Sequence, residues 1–218
     1  MTFRVLVVDY DAGNIRSVAR ALAYVGADAI VSADPEDVLT ARAVVVPGVG
    51  AAEDCIQKLR ERRLVEPLRE YAASGRPLLG VCMGLHAFLD WSDENDGTEC
   101  LGIFPASAHK FPAVPGLKVP HMGWNTVHWV RDHPVVEGIP SDSYFYFVHS
   151  YYPATDDADL ALGETEYGIT FPSVLARDNV VATQFHPEKS GEDGLAIYRN
   201  FVAWAQSDAF TATASARA

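Results

Sequence analysis

Short apolar runs alternate with segments of helical periodicity along the first half of the chain. The runs are continuous rather than alternating, which is typical of strands buried on both faces of a sheet. They cover residues 4–8, 43–46 and 78–81, and residues 29–32 form a weaker predicted strand. The segments with apolar positions at helical spacing cover residues 15–25, 35–40 and 51–73, the last interrupted near Pro67. This order predicts a parallel sheet with helices on both faces.

The second half of the chain has a different pattern. Residues 101–120 are rich in proline and show no clear period. Strand-like segments then follow at residues 126–130, 144–148, 174–176 and 180–185. They indicate a mixed or antiparallel portion, and an amphipathic helix through Leu195 and Ala205 follows it. With no internal repeat and no linker, we expect one domain over residues 1–206 and a frayed tail over residues 207–218.

Composition and charge exclude several classes of function. The chain has 218 residues, 49% hydrophobic and 21% charged, which is an ordinary globular balance. Its formal net charge of -12 opposes phosphate backbones and anionic membranes, so we expect neither nucleic acid nor membrane as a partner. No apolar run is long enough to span a bilayer, and no cleavage site follows the first one. We therefore expect a cytoplasmic protein.

Cysteine usage agrees with a reducing compartment. The three cysteines are Cys55, Cys82 and Cys100, an odd number without any CxxC spacing. This pattern argues against a disulfide framework and against a zinc knuckle. Each cysteine is then either a small buried hydrophobe or a reactive thiol, and the neighbouring residues must distinguish the two.

Cys82 lies in a motif that carries nucleophiles in hydrolases. Residues 80–84 read GVCMG, directly after a predicted buried strand and at the start of a helix. This is the arrangement of a nucleophile elbow, with sulfur in place of the usual hydroxyl. Glycines flank such a turn because it is tight and packs closely against neighbouring strands. By itself the motif leaves a reactive thiol and a buried structural cysteine about equally plausible.

His186 and Glu188 supply a general base and the group that orients it. Pro187 between them forces the preceding residue into an extended conformation, so the two side chains face the same way. Glu188 can then accept the Nδ1 proton of His186, and the other ring nitrogen is left for a thiol. A His-Pro-Glu sequence by itself usually marks only a turn after a strand. A metal site is not expected, since these two residues have no third ligand at a suitable spacing.

A third motif follows another predicted strand, where residues 47–50 read PGVG. Glycines let backbone N–H groups turn toward a neighbouring site, and acyl transfer needs such donors for its oxyanion. A plain glycine turn is the alternative for this motif alone. In a parallel sheet, however, the carboxyl ends of the strands meet at one edge, which brings all three motifs together.

The three motifs together resemble those of the class I glutamine amidotransferases. Within that family, three longer segments are similar to the glutaminase subunits of imidazole glycerol phosphate synthase: PHMGWN at 120–125, YFVHSY at 146–151 and QFHPEKSG at 184–191. The resemblance extends over the whole chain up to the terminal helix. It implies an α/β fold, a single class I glutamine amidotransferase-like domain whose central, mostly parallel sheet is flanked by helices, with an added antiparallel portion.

The resemblance also implies a chemistry. Cys82 attacks the side-chain amide of L-glutamine and releases ammonia, and water then hydrolyses the glutamyl thioester with His186 as the base. The oxyanion is held by backbone amides after Cys82 and in the oxyanion strand of Gly48, Val49 and Gly50. The glutamine site includes Ser150, Tyr151 and the position four residues after the nucleophile, which is His86. No cofactor is implied.

A partner subunit is implied as well. Ammonia passes to a (β/α)8-barrel cyclase, which forms a heterodimer with the glutaminase and makes imidazole glycerol phosphate and aminoimidazole-carboxamide ribotide in histidine biosynthesis. By the same resemblance, the interface and the ammonia passage are formed by Asn14, Pro120, His121, Met122, Gly123, Trp124, Asn125, Tyr146 and Lys189.

Family members are nearly silent until the cyclase binds its own substrate. A Val49–Gly50 peptide that presents the wrong face to the site would explain this silence. Loss of one oxyanion donor costs about 3–4 kcal/mol of transition-state stabilisation, enough for a large change in rate.

The chain departs from the family pattern at three places, one of which is the loosely matching region 101–111. His86 stands where the family normally has glutamine, and its charge can vary with pH. Asp11-Ala12-Gly13 follows the first strand, where the family usually has glycine straight after the tyrosine. Two alternatives therefore stay open: a triad glutaminase that serves a synthetase or the pyridoxal phosphate synthase, and a binding subunit without catalytic activity.

Overall fold

The structure is a computed structural model that describes residues 2–207. Strands and helices alternate through the first half as the apolar runs predict. Their bounds are β1 Arg4–Val8, α1 Ile15–Tyr24, β2 Asp28–Ser32, α2 Pro35–Thr40, β3 Val44–Val46, α3 Ala52–Glu61, α4 Val65–Ala73, β4 Leu78–Val81 and α5 Met83–Phe88. The remaining elements are β5 Trp91–Ser92, β6 Thr98–Glu99, β7 Ser107–Lys110, β8 His121–Trp129, β9 Ser143–His149, β10 Tyr151–Ala154, β11 Ala161–Glu166, β12 Thr170–Arg177, β13 Val180–Thr183 and α6 Gly191–Gln206.

Nine strands form one sheet in the order β2-β1-β3-β4-β13-β12-β11-β8-β9. The first five strands pair in parallel, and the pairings from β13 to β9 are antiparallel. A second sheet of four short strands has the order β10-β7-β5-β6. The predicted fold class, a mostly parallel sheet with an antiparallel extension in the second half, is therefore confirmed.

Strands β1, β3 and β4 of the parallel half are buried as their sequence predicts, whereas the edge strand β2 is partly exposed. Every residue of β3 and of β4 is buried from solvent, and in β1 only Arg4 is exposed. The helical stretch after β3 is interrupted at residues 62–64, before the predicted break near Pro67. Arg63 lies between α3 and α4 with φ of 58°, while Pro67 sits in the first turn of α4, where a missing N–H does no harm.

The terminal helix α6 ends at Gln206, and Ser207 follows it with its N–H donated to the carbonyl of Trp204. The rest of the predicted tail, residues 208–218, lies outside the described residues. No helix within residues 2–207 is both long and apolar enough to cross a membrane.

Candidate active site

Cys82 occupies a sharp turn between β4 and α5. Its backbone has φ of 53° and ψ of −104°, a conformation that is strained for any residue with a Cβ atom. Its N–H donates to the carbonyl of Thr183 at 2.7 Å, which ties the turn to the end of β13. The thiol is 5% exposed at the carboxyl edge of the sheet. This is the geometry of a nucleophile elbow.

The glycines around the turn allow close backbone packing. A Cβ atom on Gly84 would collide with the carbonyl oxygen of Val46, and one on Gly80 would lie 2.7 Å from the ring of Phe88. A Cβ atom on Gly48 would lie 2.6 Å from both the Cβ of Met83 and the hydroxyl of Tyr10. The elbow and the PGVG loop therefore pack against each other too closely for any side chain between them.

His186 lies directly after β13 in the extended conformation that Pro187 predicts. Its Nδ1 atom is 2.8 Å from Oε1 of Glu188, and both side chains are fully buried. Its Nε2 atom has no hydrogen-bond partner among residues 2–207 and is left for Cys82, which lines the same cavity. The structure thus brings Cys82, His186 and Glu188 together in the order that a triad requires.

Charges within the site favour the imidazolium form of His186. Burial lowers the pKa of His186, but Cys82 and Glu188 more than offset it and raise this pKa to about 10. Burial raises the pKa of Glu188, but its hydrogen bonds from His186 and Asn14 outweigh that and keep it below its usual value. At neutral pH the site therefore holds a protonated His186 against an ionised Glu188.

Two residues outside the triad orient Glu188. Asn14 donates from Nδ2 to Oε1 at 3.0 Å, and Tyr198 on α6 donates from its hydroxyl to Oε2 at 3.4 Å. Asn14 is 4% exposed, so it is not part of an exposed interface surface; it lies behind the triad, and its place along the ammonia passage stays a prediction. Tyr198 was not predicted, because no local motif marks it.

Two hydrogen bonds to backbone carbonyl groups hold the first part of the PGVG loop in place. Tyr10 donates to the carbonyl of Pro47 at 2.5 Å, and the N–H of Met83 donates to the carbonyl of Gly48 at 3.4 Å. In a trans peptide the C=O and N–H point in opposite directions, so the N–H of Val49 is turned away from the elbow. The peptide with the wrong face toward the site is therefore Gly48–Val49, one residue earlier than the sequence predicts.

A cavity of about 290 Å³ opens beside the thiol. The predicted residues Val49, Gly50, His86, Ser150 and Tyr151 all line it. It is also lined by three polar residues that were not predicted as site residues, Glu94, His149 and Gln184. Glu94 accepts from the N–H of Ala52 at 2.8 Å, which holds its carboxylate in the cavity wall.

His86 is a neutral residue in this wall. It is 2% exposed, and its Nε2 is 2.9 Å from Oε1 of Gln184. Burial lowers the pKa of His86 to about 4, although the contact with Gln184 opposes this. The expected variation of its charge near neutral pH is therefore wrong. The Nδ1 of His86 and the Nε2 of Gln184 are buried without a partner in the described chain and are free to meet a ligand.

Four of the predicted interface residues share one face of the structure. Met122 and Trp124 lie two residues apart on the same side of β8 and are 63% and 56% exposed. Tyr146 lies opposite Trp124 on β9, with 6.2 Å between the ring centroids, and the Nζ of Lys189 lies 5.8 Å from the Tyr146 ring. We call these four residues the aromatic face. Trp124 is thus an exposed tryptophan and not a core one.

The other residues of the PHMGWN segment take different positions. His121 is 3% exposed and points to the opposite side of β8, so it is not part of an exposed interface surface, and its place along the ammonia passage stays a prediction. Asn125 is half-buried and donates to the carbonyl of Glu166 at 2.9 Å. Pro120 is exposed at the cavity, and Gly123 has φ of 134°. Within residues 2–207, no group of three or more His, Cys, Asp or Glu side chains could hold a metal ion.

Comparisons with known proteins agree with this geometry. Residues 6–204 match the family described as glutamine amidotransferase class-I. The chain is 48% identical over 203 residues to imidazole glycerol phosphate synthase subunit HisH of Nitrosococcus oceani, which covers 92% of this chain and 97% of that protein. It is 42% identical over 203 residues to the subunit HisH of Desulfitobacterium hafniense, with 93% and 95% covered.

Solved structures share the fold. A putative component of GMP synthase from Thermoplasma acidophilum has a TM-score of 0.71 at 20% identity, over 100% of this chain and 96% of that chain. PurLQS from Thermotoga maritima has a TM-score of 0.72 at 14% identity, over 94% and 99%. The family match and the sequence identities show that the chain belongs to the class I glutamine amidotransferases and, among them, to the family of imidazole glycerol phosphate synthase subunit HisH.

Proposed function

We propose that Cys82, His186 and Glu188 are the catalytic triad with which this chain hydrolyses glutamine to glutamate and ammonia. Membership of the subunit HisH family makes the chain the glutaminase of imidazole glycerol phosphate synthase, in histidine biosynthesis. The observation that carries the assignment of residues is the buried His186, bonded to Glu188 at 2.8 Å, with its other nitrogen left for a cysteine on a strained turn.

The first half of the reaction releases ammonia. The thiolate of Cys82 attacks the side-chain carbonyl carbon of glutamine, and the carbonyl π electrons move onto oxygen. The oxyanion then re-forms the carbonyl as the C–N bond breaks, and His186 gives its Nε2 proton to the departing nitrogen. The products are ammonia and a glutamyl thioester on Cys82, and His186 is left neutral.

The second half regenerates the enzyme. Neutral His186 takes a proton from water as the water oxygen attacks the thioester carbonyl, and the thiolate leaves as glutamate forms. Glu188 does not exchange a proton in either half. It holds the Nδ1–H of His186 and stabilises the imidazolium, and Asn14 and Tyr198 in turn hold Glu188.

The cavity contains groups that match an amino-acid substrate. Glu94 is a carboxylate in the wall, suited to the α-ammonium group of glutamine. Ser150 and Tyr151 border the same space as Cys82. His86 stays neutral, so it acts as a hydrogen-bonding group and not as a second cation for the α-carboxylate.

An inactive oxyanion site accounts for a glutaminase that waits for its partner. In the present conformation the carbonyl of Gly48 occupies the N–H of Met83, which is the donor directly after the nucleophile. Rotation of the Gly48–Val49 peptide would free that donor and turn the Val49 N–H into the site. Each donor gained contributes about 10²–10³ in rate.

The aromatic face is the surface we assign to the partner, a (β/α)8-barrel cyclase that receives the ammonia in a heterodimer. Exposed tryptophan, tyrosine and methionine side chains next to a lysine have the composition of an interface core with a charged rim. We place the complex in the cytoplasm, where its three free cysteines stay reduced.

The test is glutamate release by the purified chain, measured alone and with the cyclase and its nucleotide substrate. We expect release that is barely detectable from the lone chain, that rises steeply in the full mixture, and that Cys82→Ala abolishes. Equal rates with and without the partner would contradict the oxyanion switch. Release by Cys82→Ala at the wild-type rate would contradict the triad.

A further inference from the structure

Two buried histidines on neighbouring strands form a hydrogen bond next to the glutamine cavity. His121 on β8 lies directly opposite His149 on β9. Nδ1 of His121 is 2.9 Å from Nε2 of His149, and the residues are 3% and 8% exposed. The reaction steps above use neither ring, although His149 lines the cavity.

The partners of the two rings determine where each proton lies. His149 Nδ1 is 2.8 Å from the carbonyl oxygen of Tyr151, which can only accept, so Nδ1 carries the proton. The Nε2 atom of a neutral His149 is then an acceptor, and it takes the Nδ1–H of His121. The Nε2 of His121 accepts in turn from the amide nitrogen of Asn125 at 3.3 Å.

The result is a series of donors that all point the same way, from Asn125 through His121 and His149 to the carbonyl of Tyr151. We call it the histidine relay. The orientation of Asn125 is fixed as well, because its oxygen accepts from the N–H of Thr126 at 2.8 Å. Every ring nitrogen of the pair is satisfied only when both histidines are neutral.

Packing holds the first ring in place. The His121 ring is stacked between Phe147 and Tyr167, with centroid distances of 4.8 and 3.8 Å and interplanar angles of 19° and 18°. Burial also lowers the pKa of His121 to about 4 and that of His149 well below its ordinary value. The pair is therefore rigid and uncharged at neutral pH.

The histidine relay ends on the segment that borders the substrate. The contact from His149 to Tyr151 spans the bend at Ser150, between β9 and β10, and all three residues line the cavity. On the other side of this bend, the carbonyl of Ser150 accepts from the N–H of Phe111 at 3.1 Å. The side chain of His149 thus supplies the hydrogen bond that closes the bend from within.

We propose that His149, supported by His121, is a positioning residue that holds the Ser150–Tyr151 wall of the cavity in the shape that binds glutamine. The proposal rests on the glutaminase function proposed above and deepens it. The histidine relay does not touch the reacting atoms, so its loss weakens substrate binding more than it slows the chemical steps.

The experiment compares two variants of His149 in the full chain with the cyclase and its nucleotide substrate present. His149→Phe keeps the ring packing and removes both nitrogens. His149→Asn places an amide N–H at the position of Nδ1, so the bond to Tyr151 is retained. We expect His149→Phe to raise KM for glutamine about tenfold, as for one lost hydrogen bond, with kcat within about threefold. For His149→Asn, which keeps the hydrogen bond to Tyr151, we expect a KM within about threefold of the wild-type value.

Controls separate this proposal from the underlying function. His128→Asn changes an exposed histidine on the neighbouring strand β8 and leaves KM unchanged. Equal KM values for the Phe and Asn variants, whether raised or not, would overturn the histidine relay. Absence of Cys82-dependent glutamate release by the wild-type chain would instead overturn the glutaminase function.

A second readout does not depend on activity or on the folding of a variant. In ¹⁵N spectra of the histidine rings of the wild-type chain at pH 7, we expect His121 and His149 both to be neutral with the proton on Nδ1. A proton on Nε2 of His149, or a charged ring at either position, would contradict the histidine relay.

Discussion

Asn14 offers a sensitive test of the triad, because replacing the Nδ2 atom of its side chain by oxygen turns a hydrogen bond to Glu188 into charge repulsion. Its Nδ2 donates to Oε1 of Glu188 at 3.0 Å, the same oxygen that accepts from His186 at 2.8 Å. The substitution Asn14→Asp keeps the shape of the side chain and exchanges this donor for a carboxylate oxygen. Glu188 would then lose a hydrogen bond and gain a like charge within contact distance.

The size of the effect follows from the distance. Two unit charges about 4 Å apart repel by about 4 kcal/mol at an effective dielectric constant of about 20. This corresponds to about three pKa units, so the pair of carboxyl groups would take up a proton near neutral pH. The lost hydrogen bond to a charged group contributes a further ~1.5–3 kcal/mol. We expect kcat at pH 8 to fall by at least about tenfold.

The pH dependence distinguishes repulsion from a damaged fold. As the pH falls from 8 to 6, the carboxyl of the Asn14→Asp variant gains a proton and can donate to Glu188 again, so its kcat should approach that of wild type. The assay is glutamate release at saturating glutamine in the complex. Asn200→Asp is a matched control: Asn200 donates to the backbone carbonyls of Val135 and Glu137 instead of to the triad. A ratio of kcat values that stays flat across this range would refute the reasoning.

Three other predictions test separate parts of the structure. The folded-state pKa of His86, about 4, lies below its ordinary 6.5, so stability is full above pH 6.5 and declines by about 3 kcal/mol down to pH 4. In denaturant titrations over this pH range, the free energy of unfolding of His86→Gln should fall by about 3 kcal/mol less than that of the wild type. An equal fall in both proteins would contradict the burial of a neutral ring. Trp124→Ala should weaken cyclase binding at least about thirtyfold by calorimetry with no change in melting temperature, whereas Tyr24→Ala, 75% exposed on α1, should bind normally. Gly84→Ala should destabilise the chain by about 1–3 kcal/mol, since its Cβ meets the Val46 carbonyl, and unchanged thermal denaturation would argue against that close packing.

The triad could be predicted from the sequence because each of its parts is local. Cys82 is marked by the glycines on both sides of it, and His186 and Glu188 are two residues apart around a proline. The parallel strands β4 and β13 are neighbours and end at the same edge of the sheet. Local motifs together with one rule of sheet geometry were therefore enough to bring the residues together.

The residues that support the triad could not be predicted, because their contacts are distant in the sequence. Asn14 and Glu188 are 174 positions apart, and their contact depends on how the turn before α1 packs against the turn after β13. Tyr198 reaches Glu188 from inside α6, where its spacing matches that of an ordinary core residue. Glu94 belongs to a short irregular segment with no motif at all.

The sequence did not predict which residues of the PHMGWN segment share the aromatic face, because it does not show which side of a strand points outward. Both sides of β8 carry aromatic or apolar residues, so the alternation of His121, Met122 and Trp124 does not reveal which side faces outward. Pairing with β9 decides it: His121 lies opposite the buried His149, and Trp124 lies opposite Tyr146. The register, and not the composition, separates the histidine relay from the aromatic face.

The central claim is that Cys82, and no other thiol, attacks glutamine. The direct measurement is to treat the wild-type complex with a glutamine analogue that carries an electrophilic carbon at the amide position, and to map the adduct by mass spectrometry. We predict one adduct, on Cys82, formed in parallel with the loss of glutamate release. Cys55 and Cys100 are also free thiols and are 2% and 3% exposed, so they serve as internal references. Inactivation with Cys82 unmodified, or an adduct on either of the other two cysteines, would contradict the account.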